Sequence, residues 1–231
     1  MDKKDYKLKI LDIITLILMA IAVAMVFFYA PLERVMGYVQ KVFYFHVSSA
    51  WVGMMSFIVA AVTGGLYLRT GSKKWDITSF ASVEIGIVFA IIAILTGSIW
   101  ARPIWNTWWT WDPRLTTTAI MTLVYIAYLM LRQGIDDSEK RARFGAVYVI
   151  VGALSVPLTF LSIRIFRTIH PVVIGAGSGT STAFDMAPKM LQTFLFSLLV
   201  FSILFIDLLW HRVKLGRLEE EVEHLKIAAS D

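Results

Sequence analysis

Five of the chain's eight tryptophans, Trp100, Trp105, Trp108, Trp109 and Trp111, stand within twelve residues. Indole faces offer broad contact with little side-chain entropy to lose, and offset ring pairs add about 0.5–1.5 kcal/mol beyond burial. Such a cluster suits a large, flat, apolar molecule. Arg102 and Arg114 flank it, and guanidinium pairs bidentately with carboxylates, so the ligand that fits best also carries acidic groups. An aromatic belt at a membrane interface explains one or two tryptophans per helix end, not five at one end.

The four histidines fall into two pairs. His46 and His170 lie on either side of the tryptophan segment along the chain, whereas His211 and His224 sit near the C-terminus among charged residues and read as solvated or interfacial. Neutral imidazole is a strong iron ligand, and two of them complete the axial coordination of a haem. Taken singly, His46 and His170 read equally as hydrogen-bonded interfacial side chains. The chain has no cysteine, which excludes disulfides, thiolate metal sites and haem attachment through C-x-x-C-H.

The elements that must position these residues follow from the spacing of charge. At 58% apolar and 17% charged residues, with a mean hydropathy of +0.69, the composition departs from the soluble norm of about 45–50% and about 25%. Six long stretches carry no charge or a single acid: about 13–30, 43–68, 77–99 (with Glu84), 115–131, 144–163 and 190–210 (with Asp207). A helix needs about 20 mainly apolar residues to cross about 30 Å of hydrocarbon. The expected fold is therefore an all-α integral membrane bundle of six transmembrane helices, forming one polytopic domain over 1–231.

Basic residues orient it. Fifteen lie in the N-terminal segment, the two short links near Arg69 and Lys140, and the tail, while seven lie in the alternate loops. The positive-inside rule puts both termini in the cytoplasm. The Trp-rich segment 100–114 and a long loop 164–189 are then on the outer face, and the tail 212–231 is cytoplasmic. The first apolar run is too long for a signal peptide and lacks a small-x-small cleavage site, so it is expected to stay as a helix.

Run together, Trp105-Asn-Thr-Trp108-Trp109-Thr-Trp111-Asp112-Pro113-Arg114-Leu115-Thr116 resembles the signature of the WWD haem-handling membrane proteins. Within them, the length, six spans and one outer histidine on each side of the signature resemble the haem exporter protein C (CcmC) family of cytochrome c maturation; the larger CcsA and CcmF types have more helices and histidines. The resemblance implies haem b held non-covalently at the outer face. His46 and His170 would be its axial ligands, with Trp100, Trp105, Trp108, Trp109, Trp111, Asp112, Arg102 and Arg114 around it. It further implies delivery to a periplasmic chaperone of the CcmE type, alongside ATPase complex subunits of the CcmA, CcmB and CcmD types, in the bacterial inner membrane. There is no G-x-x-x-x-G-K-[ST] run for nucleotide, so ATP chemistry is expected of the partners; the chain reads as a binding and transfer protein rather than an enzyme, with a ligase-like role in haem attachment to the chaperone left open.

Other features carry open readings. Asp112 with Pro113 behind it suits the N-cap and first position of the fourth helix, and ligand contact is compatible with that. Arg164 and Arg167 share a helical face and read as carboxylate partners or as snorkelling side chains. Glu84, deep in the third helix and with no second buried charge expected beside it, reads either as a protonated, hydrogen-bonded acid or as the relay of a proton-coupled permease. Gly175, Gly177 and Gly179 suggest a flexible loop stretch, and Thr182 with Asp185 a capping box before Pro188. Leu208, His211, Leu215, Leu218, Val222 and Leu225 recur at three- and four-residue steps, so the sixth helix is expected to run on into the cytoplasm.

Overall fold

The computed structural model describes residues 3–171 and 186–230, and these are helical nearly throughout. Helix α1 (Lys3–Ala24) runs into one π-helical turn, Met25–Tyr29. Then come α2 (Gln40–Thr70), α3 (Lys73–Trp105), α4 (Pro113–Gln133), α5 (Ser138–Gly152), α6 (Ser155–Ile165) and α7 (Pro188–Ser230). Six spans long and apolar enough to cross a membrane result, α5 and α6 together forming the fifth. An even number of crossings brings both described ends to the same side of the bundle. Gly175 to Gly179, Thr182 and Asp185 lie outside the described residues; Pro188 does open α7.

Charge-free stretches located the helices but not their ends. The third helix, expected to stop at about 99, continues to Trp105, so that Trp100, Arg102 and Trp105 ride on helix rather than loop. It ends where Asn106 takes a left-handed conformation (φ 55°), while Arg102 reaches forward to the Asn106 carbonyl at 2.8 Å and to its side-chain oxygen. The fifth span, expected to be continuous, breaks at Ala153 and Leu154. Pro157 has no N–H for the Ala153 carbonyl and its ring crowds that carbonyl. The turn tightens instead into three-residue bonds, Leu154 to Val151 and Val156 to Ala153, both 3.1 Å.

Helices α2 and α3 form the spine of the bundle. Gly86, Ala90, Ala93 and Gly97 make a small-residue stripe on α3 at steps of four, three and four, which lets the backbones approach closely. A Cβ on Gly53 of α2 would come 3.3 Å from the Ala90 nitrogen. Below this contact Phe57 stacks on Tyr125 of α4 with centroids 3.6 Å apart. The π turn of α1 leaves the Phe27 carbonyl open, and Lys41 donates to it at 2.7 Å.

Two charge pairs hold the end of the bundle where the described termini lie. Asp76 and Arg132 pair bidentately at 2.5 and 3.0 Å, with the Arg132 guanidinium 4.8 Å over Phe80. Glu84 does have a charged companion, contrary to the sequence expectation: Arg212 Nε of α7 lies 2.7 Å from its Oε2, as an ion contact outside hydrogen-bond geometry. The arginine comes from 128 residues further along the chain, a pairing that hydropathy along one helix does not reveal. His211, read as interfacial, contacts Asp12 of α1 at 2.7 Å. Gly216 permits α7 to pass Ile77, whose Cγ2 would stand 2.7 Å from an added Cβ.

Candidate functional site

At the opposite end, α2, α3, α4, α6 and α7 surround a largely apolar cavity of about 310 Å³. His46 enters it from the first turns of α2, and Ala50 and Gly53 continue the same face at i+4 and i+7. The bare α3 stripe makes room for the ring, since a Cβ on Gly97 would lie 2.9 Å from His46 Cε1. His46 Nδ1 lies 2.9 Å from the Ala93 carbonyl and 3.3 Å from Thr96 Oγ1. A carbonyl only accepts, so Nδ1 carries a proton, and in the neutral ring Nε2 then keeps its lone pair.

His170 enters from the segment after α6. Its Nδ1 lies 3.0 Å from the Pro171 carbonyl, which again leaves Nε2 as the lone-pair nitrogen. Burial pushes its pKa down to about 4, with Arg114 and His46 acting the same way, so the ring is neutral at pH 7. The two imidazole centroids are 6.4 Å apart with their planes at 41°. Metal–imidazole bonds of about 2 Å on each side, added to two ring radii, span about 6.3 Å, so the spacing fits one metal ion between the rings.

The tryptophans divide. Trp100, Trp105, Trp108 and Trp109 line the cavity, with Trp100 and Trp105 edge to face at 5.1 Å. Trp111 does not line it; 80% exposed, it packs edge to face on Trp109 at 5.9 Å. The arginines divide too. Arg102 is turned away to the end of α3, whereas Arg114 lines the cavity and donates to the Thr159 carbonyl at 2.6 Å. Arg164 lines the cavity as well, and Arg167 does not.

Asp112 is the N-cap of α4 with Pro113 at the first position, accepting from the Arg114 N–H at 2.9 Å. Burial alone would raise its pKa, but bonds from the Thr168 hydroxyl and the Ile169 and Arg114 N–H groups outweigh this, and the carboxyl titrates below the usual range. Sequence reasoning missed three contributors: Trp51, Gly97 and Thr168. Trp51 lines the cavity from α2 while donating to Ser202 at 3.0 Å. The small-residue spacing on α3 was the available signal for Gly97; nothing local marks Thr168.

Fold and site together define a polytopic helical membrane protein with a tryptophan-walled cavity into which two imidazoles project. Residues 3–228 match the family model described as Heme exporter protein C. The chain is 32% identical over 199 residues to the Heme exporter protein C of Bradyrhizobium diazoefficiens, covering 84% of this chain and 70% of that one. It is 31% identical over 144 residues to the Escherichia coli K12 protein of the same name, 62% of this chain and 59% of that one. A ccmC-like mitochondrial protein of Arabidopsis thaliana, described as a putative cytochrome c biosynthesis protein, is 28% identical over 191 residues, 83% of this chain and 72% of that one. The chain belongs to the haem exporter protein C family.

Proposed function

We propose that this protein binds haem b non-covalently in the cavity, with His46 and His170 as axial ligands, and hands it to a periplasmic haem chaperone of the CcmE type for cytochrome c biogenesis. The observation that carries the reading is the pair of imidazoles 6.4 Å apart, each with Nδ1 engaged by a backbone carbonyl. Such outer hydrogen bonds fix ring orientation and raise ligand basicity. Trp100, Trp105, Trp108 and Trp109 supply flat apolar contact to the porphyrin. Arg114 and Arg164 are the cations that line the cavity, suited to the acidic edge of the ligand.

Release is part of the function, and without cysteine the haem is held by bonds that exchange. Partners of the CcmA, CcmB and CcmD types would supply the ATP-dependent step. The membrane is the bacterial inner membrane, with both termini cytoplasmic and the cavity facing outward, as the basic residues indicate. Glu84, paired with Arg212, is assigned to holding α7 on α3.

The test is the absorption spectrum and haem content of the purified protein after haem-replete expression. Wild type is expected to carry haem, and His46→Ala and His170→Ala to lose it or to show a changed Soret band. A colourless wild type, or spectra unaltered in both variants, would sink the assignment. Transfer of the bound haem to an added CcmE-type chaperone, followed by the same band, checks the delivery step.

A further inference from the structure

His170 stands outside the helices, on the chain that follows α6, and a ligand there needs something to hold it. Asp112, the N-cap of α4, does so. Its Oδ1 accepts from the Thr168 hydroxyl at 2.7 Å and its Oδ2 from the Ile169 N–H at 2.9 Å. The Thr168 oxygen in turn accepts the N–H of His170 at 3.0 Å. One carboxylate thus holds three successive residues, Thr168 and Ile169 directly and His170 through the Thr168 hydroxyl, while Oδ1 also caps α4 through Arg114 N–H. Asp112 is buried, 9% exposed.

From this juxtaposition we propose that Asp112 and Thr168 are positioning residues for His170. They form a clamp that ties the His170 segment to the first turn of α4, and so to the tryptophan segment that ends one residue earlier. The proposal rests on the reading of His170 as a haem ligand. Its physical content is that the imidazole is presented at a fixed height over the cavity before any ligand arrives, so the ordering cost is met on folding rather than on binding. The clamp also makes the site one mechanical unit. Displacement of α4's first turn moves His170 with it, whereas His46, held by Ala93 and Thr96 of α3, stays with the spine. Pulling α4 away from α3 would therefore separate the two ligands.

Thr168→Val removes the hydroxyl that joins Asp112 to the His170 N–H and leaves the α4 cap intact. We expect it to weaken haem binding by about 10–100-fold, the usual cost of losing a group that orients a metal ligand, and to shift the bound haem from the wild-type six-coordinate spectrum toward that of His170→Ala. Thr168→Ser, which keeps the hydroxyl, restores the wild-type spectrum. Asp112→Asn, which can still cap the helix, should lose six-coordination with little loss of helix content. In haem-free full-length protein in detergent, amide exchange at Ile169 and His170 should quicken in Thr168→Val. A Thr168→Val protein with wild-type affinity, spectrum and amide exchange overturns the clamp. Because the exchange measurement needs no haem, it decides the clamp even if wild type proves colourless, an outcome that would remove the haem reading instead.

Discussion

Gly97 shows how closely one residue governs the cavity. The His46 ring occupies the space where a side chain at 97 would begin, 2.9 Å from Cε1. Gly97→Val should push the ring off the line toward His170 and abolish six-coordinate haem while the protein still folds; visible spectra of the variant against wild type check this, and an unchanged spectrum contradicts it. At this scale much of the candidate cavity was legible in the sequence, because five tryptophans in one short segment and a histidine on either side of it are local or countable features. Trp111 and Arg102 were nonetheless assigned to the ligand by proximity along the chain. The helix that carries Arg102 runs on to Trp105 and turns it to Asn106, and Trp111 is exposed. The Asp112 to Thr168 bond joins residues 56 apart, and no spacing rule reaches that far.

Helices here depend on a few polar groups at their ends and sides. The Asp76–Arg132 pair is nearly buried, with side chains 8% and 10% exposed. Asp76→Asn leaves Arg132 without its counter-charge, and removing one partner of a buried pair typically costs about 3–5 kcal/mol. Thermal unfolding in detergent should register the loss, and a variant as stable as wild type would count against the pair. Asp137 caps α5 by accepting from the Lys140 N–H at 2.7 Å, which holds its carboxyl below the usual range. A depressed folded pKa contributes stability above the unfolded value of about 3.8 that is lost as pH falls through the folded pKa. The protection of amides in the first turn of α5, taken relative to the unfolded chain at the same pH, should therefore fall in acid, and that fall should vanish in Asp137→Asn. The number and order of the helices were readable from charge spacing because lipid demands length. The ends were not, because α3 runs on through Arg102 and Pro103, residues that read as stop signals, as far as Asn106, and the charge-free run of the fifth span does not register the break that Pro157 imposes.

Across the whole molecule the two ends differ in kind. One holds the charge pairs Asp76–Arg132 and Glu84–Arg212 and both described termini; the other holds the cavity and its two imidazoles. The long α7 joins them, lining the cavity through Phe194 and Leu198 and meeting Glu84 through Arg212. Its last turns carry Leu215, Leu218, Val222 and Leu225 as an exposed stripe, the helical continuation that the heptad spacing led one to expect. Reporter fusions after Ser230 and within the 106–110 turn should report cytoplasmic and periplasmic locations respectively; the reverse result would invert the orientation drawn from the basic residues. The central claim, a haem held between His46 and His170, is tested most directly by low-temperature electron paramagnetic resonance of the oxidised, haem-loaded protein. Two imidazole ligands predict a low-spin ferric signal that is lost in both His46→Ala and His170→Ala. A high-spin signal in wild type, or a low-spin signal that survives in either variant, would contradict it.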